Sequence, residues 1–242
     1  MKTAEEIIAW AVDRFGDHLA LSTSLQKGGM IVLDIAIRLQ PSLRVFTLDT
    51  GRLPQETYAM IEAVRRRYGV NVESIHPNPV ETERMVELHG PNLFFDDRPS
   101  RMLCCQVRKV RPMARILAES GNEIHALLAG LRRDQSETRE AIDQIDETGK
   151  PVKINPLAYW SNEDVDRYTA EHDLPVHPLY AKGYTSIGCE PCTRATLAGE
   201  EIRAGRWWWE SEGGKECGIH FTPDGRAQRT VDVMLEEIVR NT

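Results

Sequence analysis

The sequence predicts a doubly wound α/β fold with a mostly parallel sheet, followed by a cysteine-rich C-terminal extension. Three observations carry this. Short apolar runs, most of them continuous or β-branched as in buried parallel strands, recur along the first half of the chain. Segments with apolar residues at three- and four-residue spacing separate them. Loops rich in Ser, Thr, Gly and Arg follow the runs, where open α/β sheets bind ligands.

In chain order, the runs are Leu19–Leu21, Leu43–Leu48, Val70–Ile75 and Ile124–Ala129. The helix-like segments cover residues 30–40, 54–68 and 106–119. Pro54 and Pro112 stand near expected helix starts, where the missing amide donor is tolerated. Near residue 176 the character changes. Pro, Gly, Cys and Trp become dense, and periodicity fades until an amphipathic stretch over Val231–Val239. We therefore expect an α/β catalytic domain over residues 1–175, which the family resemblance given below implies to be nucleotide-binding. Residues 176–242 should form an extension bearing the second cysteine pair, a tryptophan cluster and a further cysteine.

With 242 residues, 41% of them apolar and 28% charged, the chain can bury a full core. Its formal charge of −7 argues against broad adhesion to nucleic acid, so any anion site must be a local basic pocket. No apolar stretch approaches the roughly 18 residues of a membrane span. The start, Met1-Lys2-Thr3-Ala4-Glu5-Glu6, has no signal-peptide core, and a cytoplasmic location is expected.

The loops Ser22–Gly29, Asp49–Arg52 and Gly130–Arg133 should converge on one crevice. The first runs into a helix, offering backbone N–H groups and the hydroxyls of Ser22 and Ser24 to phosphate oxygens. A plain strand-to-helix turn has the same composition.

Five cysteines in a reducing compartment suit ligands or nucleophiles better than a disulfide framework. Cys104-Cys105 and Cys189-Glu190-Pro191-Cys192 together make a four-thiolate set for zinc or an iron–sulfur cluster. Adjacent cysteines project about 100° apart on a helix. That favours two irons of a larger cluster over a single zinc; buried apolar cysteines are the plainer alternative. Cys217 is left over, in the glycine-flanked run Gly213-Gly214-Lys215-Glu216-Cys217-Gly218-Ile219-His220, and is the candidate nucleophile. Lys215 and His220 would favour its thiolate and Glu216 would oppose it; His220 ranks as auxiliary.

A sulfate or phosphate ester calls for cationic donors. Lys109 falls four residues after Cys105, Arg139 closes the run that begins at Arg132, and Arg203 and Arg206 precede Trp207-Trp208-Trp209. Three adjacent indoles cannot all face one core, so at least one should cover the cluster, the loop or a partner.

Together these motifs resemble the thioredoxin-dependent adenylyl-sulfate reductases of the family that also contains the phosphoadenylyl-sulfate reductases. The pieces are Leu48-Asp49-Thr50-Gly51-Arg52-Leu53, Cys104-Cys105 with Arg108-Lys109, Arg132-Arg133-Asp134-Gln135-Ser136 with Thr138-Arg139, Ile154-Asn155-Pro156-Leu157, Ile187–Arg194, Gly205–Glu210 and Glu216–His220. The resemblance implies an adenine-nucleotide α-hydrolase-like fold, with Ser22, Ser24, Leu48 and Gly130 around the adenosine. It implies phosphosulfate contacts from Lys109, Arg139, Arg203 and Arg206, and a [4Fe-4S] cluster on Cys104, Cys105, Cys189 and Cys192. It implies Cys217 as the nucleophile, adenylyl sulfate as substrate, AMP and sulfite as products, and thioredoxin or a similar dithiol as reductant. The oligomeric state stays open.

Three rivals differ in their signatures. A phosphoadenylyl-sulfate reductase, or a dual-substrate enzyme, needs a further cation for the ribose 3′-phosphate, and Lys27 is the candidate. An ATP-dependent thiolating or adenylating enzyme does not explain Glu216-Cys217-Gly218. A zinc-stabilised binding module would use the tryptophans and arginines for a protein or RNA partner.

Overall fold

A computed structural model describes residues 2–118, 123–210 and 225–239, the last from residue 231 onward with its side chains. Six strands, β1 (Leu19–Ser22), β2 (Arg44–Leu48), β3 (Glu73–Ile75), β4 (Ala126–Leu128), β5 (Ile145–Asp146) and β6 (Val152–Ile154), form one sheet in the order β3-β2-β1-β4-β6-β5. Every pairing is parallel except β5 with β6. Eight α-helices accompany the sheet: α1 (Ala4–Phe15), α2 (Lys27–Leu39), α3 (Gln55–Tyr68), α4 (Pro79–His89), α5 (Arg98–Cys105), α6 (Arg111–Ala118), α7 (Asn162–Glu171) and α8 (Gly225–Val239).

The period of two along each strand divides the sheet into two faces. Leu19, Leu21, Val45, Ala126, Leu128 and Ile154 join the main core with α1, α2, α3 and α7. Ala20 and Phe46 face the other way, onto Ile116 and its neighbours Met113 and Leu117 of α6. The central strands are therefore apolar on both faces, which explains their continuous hydrophobic runs. Burying each large side chain of this set, such as Phe46 or Ile31, contributes about 1.5–3 kcal/mol.

The doubly wound class holds, and several elements differ from the sequence reading. The run at Val70–Ile75 pairs only from Glu73, with Val70 buried in the preceding loop. The run at Ile124–Ala129 narrows to Ala126–Leu128, although its flanking amides still bond, His125 N to His18 O and Ala129 N to Ile154 O, both at 2.9 Å. β5 and β6 are too short to show as runs, yet β6 completes the β4 edge at the register Leu127↔Lys153.

The helix expected over 106–119 begins eight residues earlier. Asp97 caps α5, accepting a hydrogen bond from Ser100 N at 2.7 Å, with Pro99 in its first turn. The chain then passes through a π-helical turn at Gln106–Val110 and continues into α6, so Pro112 lies inside a longer helical run rather than at its start. The amphipathic C-terminal stretch is helical as expected and packs against α5 and α4.

Candidate functional site: a strand crossover joined to a four-thiol cavity

β1 sits between β2 and β4, and connections leave it in opposite directions, so the carboxyl ends of β1 and β4 bound the topological switch point of the sheet. Two glycines let the backbones meet there. A Cβ on Gly28 would stand 2.7 Å from Gly130 O, and one on Gly130 would stand 2.4 Å from Gly28 C. The loop after β1 is held taut: Leu25 is fully buried at φ +57°, and its N–H donates to Thr23 Oγ1 at 3.0 Å. Such left-handed geometry in a non-glycine residue is held by its surroundings and is common at ligand sites. Two of the three loops expected to converge, Ser22–Gly29 and Gly130–Arg133, meet here, with Ser22 half-buried at the end of β1, Ser24 exposed and accepting from Gln26 Nε2, and Leu48 closing β2.

A cavity lies beyond this crevice, on the side of the second cysteine pair. It is lined by Arg52, Phe94, Arg101, Arg108, Lys109, Trp207 and the four free thiols of Cys104, Cys105, Cys189 and Cys192. Cys104 and Cys105 occupy the last turn of α5, and the π-helical turn that follows brings both Arg108 and Lys109 to the same cavity. Such turns recur at functional sites. Cys189 and Cys192 flank a single 3-10 turn, with Cys192 N donating to Cys189 O at 3.0 Å.

The Asp49–Arg52 loop is fastened to the thiol cavity. Asp49 Oδ1 accepts from Gly51 N at 2.8 Å and shapes the turn. Thr50 Oγ1 lies 3.3 Å from Cys189 Sγ, Thr50 O accepts from Arg108 Nη1 at 2.7 Å, and Arg52 O accepts from Glu190 N at 2.8 Å. On the crevice side, Gln26 exchanges two hydrogen bonds with the backbone of Ile187, just ahead of the second cysteine pair.

Burial and the neighbouring sulfur of Cys105 push the Cys104 thiol up to about 12. Burial and the sulfur of Cys189 do the same to Cys192. Cys189 is also penalised by burial, but Lys109, the Thr50 hydroxyl, Arg206 and Arg108 together bring it below the usual thiol value. Burial thus opposes charge on these sulfurs, and the neighbouring cations favour it. The indole Nε1 of Trp207, buried at 1% exposure, has no hydrogen-bond partner among the described residues. A buried donor of this kind suits an acceptor in the cavity.

Among the cations expected from sequence, Lys109 lines the thiol cavity, and Arg206 is buried beside it. The Arg206 guanidinium is pressed so close to Gly188 that a Cβ there would stand 2.3 Å from Nη2. Arg139 is buried on the loop beyond β4, where it donates to Gln135 Oε1, and Arg203 is half-buried in the turn whose carbonyl accepts from Arg206 N. Of the three indoles, Trp207 covers the thiols, Trp209 packs on Phe95 and Trp208 is largely exposed. Cys217 and His220 lie outside the described residues.

Sequence reasoning missed Arg101 and Phe94 in this cavity, and it placed Thr50 and Arg52 in a crevice loop without their link to the thiols. Arg101 stands three and four residues before the cysteine pair, the spacing of one helix face, and was hidden because the helix start at Arg98 was not seen. Among the described residues, no group of three or more His, Cys, Asp or Glu side chains stands ready to hold a metal ion.

Fold and site define an α/β protein whose sheet presents a nucleotide-type crossover beside a buried four-thiol centre. Residues 18–195 match the family model described as the phosphoadenosine phosphosulfate reductase domain, and the chain belongs to that family. It is 45% identical over 208 residues to an adenosine 5′-phosphosulfate reductase of Burkholderia cepacia, covering 85% of this chain and 82% of that one. A second reductase of that name, from Allochromatium vinosum, is 44% identical over 206 residues, with 84% and 79% covered. Among solved structures, a phosphoadenylyl-sulfate reductase from Candida auris, in a phosphate complex, superposes with a TM-score of 0.65 at 28% identity, covering 78% of this chain and 89% of that one.

Proposed function

We propose that this chain reduces adenosine 5′-phosphosulfate to sulfite and AMP in sulfate assimilation, with Cys217 as nucleophile and a dithiol protein such as thioredoxin as reductant. The observation that carries the reading is the four-thiol cavity with its cations, set against the strand crossover. The identity to relatives named adenosine 5′-phosphosulfate reductase supports it and counts against both a binding module and an ATP-dependent thiolating enzyme.

The adenosine would lie across the crossover, against Ser22, Ser24, Leu48 and the Gly130 backbone. Lys109, Arg139, Arg203 and Arg206 would offset the charge of the phosphosulfate. The Cys217 thiolate attacks the sulfate sulfur; an S–S bond forms, the phosphate O–S bond breaks, and AMP departs with the electron pair. A thiolate of the reductant then attacks Cys217 Sγ and sulfite leaves. The reductant's second thiol resolves the mixed disulfide, so the dithiol supplies both electrons.

The donor chemistry fits a [4Fe-4S] cluster on Cys104, Cys105, Cys189 and Cys192: four buried sulfurs, no competing imidazole or carboxylate among the described lining residues, and neighbouring cations. Adjacent cysteines on one helical turn suit two irons better than one zinc. The group would supply a fixed electrostatic anchor, while Arg108, Lys109 and Trp207 of this chain hold its surroundings. Residues 1–175 would act as the nucleotide-binding domain, and residues 176–242 as the extension that completes the centre.

One contact favours the unphosphorylated substrate. Lys27, the cation a ribose 3′-phosphate would require, is held by Asp166 Oδ1 at 2.5 Å and lies over the Tyr180 ring. No helix among the described residues is long and apolar enough to cross a membrane, which is consistent with a cytoplasmic enzyme.

The test is anaerobic assay of sulfite release from adenosine 5′-phosphosulfate and its 3′-phosphorylated form with reduced thioredoxin, using wild type and Cys217→Ser. Release from the first nucleotide, lost in the variant, is expected. Full activity in Cys217→Ser would sink the nucleophile, and preference for the 3′-phosphate form would sink the substrate assignment.

A further inference from the structure

The chain that leads into the Cys217 segment leaves the described structure at Glu210, and the way it is fastened there has a consequence for catalysis. Residues 205–210 are stitched to the second cysteine pair through backbone bonds. Arg194 N donates to Gly205 O at 3.0 Å and Trp207 N to Cys192 O at 3.1 Å, while Glu210 N closes a turn onto Trp207 O at 2.9 Å. To the first cysteine pair, by contrast, the link is a side-chain pair. Arg101 Nε and Nη2 donate to the two carboxylate oxygens of Glu210 at 2.7 and 3.0 Å.

This pair is deeply placed. Arg101 is 1% exposed, lines the thiol cavity and carries its guanidinium 4.5 Å over the Trp207 ring. The Glu210 side chain is only 10% exposed. A forked guanidinium–carboxylate contact fixes orientation as well as distance, and removing one partner from such a site leaves a buried charge uncompensated. Arg206 stacks over the same indole at 4.7 Å, so a substrate-side cation and Arg101 share one aromatic wall.

We propose that Arg101 and Glu210 form a positioning pair for the reaction: they lock the root of the Cys217-bearing segment to the thiol helix α5. The proposal rests on the functional reading above. Neither residue touches the reacting atoms. Only six residues separate Glu210 from Cys217 in the sequence, and misplacement of a reacting group by about 1 Å can cost roughly 100-fold in rate.

The experiment follows S-sulfonation of Cys217 by intact mass in a single turnover without reductant, in wild type, Glu210→Gln and Glu210→Asp. Nucleotide affinity and iron content are measured on the same samples. Glu210→Gln should slow S-sulfonation by roughly 10- to 100-fold while nucleotide affinity stays within about twofold of wild type and iron content is unchanged; Glu210→Asp should recover part of the rate. A wild-type rate in both variants would overturn the proposal. So would a loss of rate that tracks loss of iron in both, since the pair would then only maintain the cavity. If wild type itself is not S-sulfonated by adenosine 5′-phosphosulfate, it is the functional reading that fails.

Discussion

The sheet half of the molecule and the thiol centre are built on different principles. Around the sheet, apolar side chains alternate between two faces and the ligand crevice arises where backbone connections diverge. Around the thiols, Leu103, Val107, Phe94, Trp207 and Ile238 form a separate buried cluster, into which α8 also packs. That second cluster gathers four sulfurs and several cations, groups that oppose burial unless they compensate one another. The sheet half is thus a scaffold that folding alone completes. The thiol half is a polar centre whose cohesion depends on what its charges meet.

The two halves should therefore fail separately. The largest effect is expected from Cys192→Ala. Iron and inorganic sulfide per chain should fall to near zero after anaerobic purification, while AMP binding measured by calorimetry persists. Loss of AMP binding together with iron would show that the halves are one unit.

The reverse experiment is Gly130→Ala. Its new Cβ would meet Gly28 and Gly29 backbone atoms at 2.4–2.6 Å, and neither strand nor helix start can yield easily. Destabilisation of about 1–3 kcal/mol in denaturant titration and at least tenfold weaker AMP binding should follow, with iron content unchanged. Wild-type AMP affinity in this variant would remove the glycine contact from the nucleotide site.

The smallest effect sharpens the comparison through pH. His177 is buried with its Nε2 3.0 Å from Thr57 Oγ1, and burial holds its pKa below the ordinary 6.5. The folded form therefore prefers neutral imidazole. Its contribution is complete above the unfolded value near 6.5 and is lost as pH falls from there through the folded value. Stability should decline across that window, less so in His177→Gln, when followed by thermal melts at stepped pH. An identical slope in the variant would remove His177 as the cause.

Much of the sheet was legible because β1 and β2 are buried on both faces, which leaves uninterrupted apolar runs at Leu19–Leu21 and Leu43–Leu48. β5 and β6 were not, since two- and three-residue strands leave no periodic trace and form only because a neighbour offers a register. The four thiols were legible as a set from two short motifs. Arg101 and Thr50 were not: the first depended on a helix start set by Asp97, and the second on a contact across 139 residues of sequence, Thr50 Oγ1 to Cys189 Sγ.

By itself, then, the sequence determined the class of fold and the two short cysteine motifs. These are properties of local periodicity and of residue type, both carried by neighbours along the chain. Only the tertiary structure decided that Glu210 answers Arg101, that Lys27 is already taken by Asp166, and that α8 packs over α5. Each of these joins residues distant in sequence. Such a match of charge or shape exists only once the chain has folded and removed the competing water.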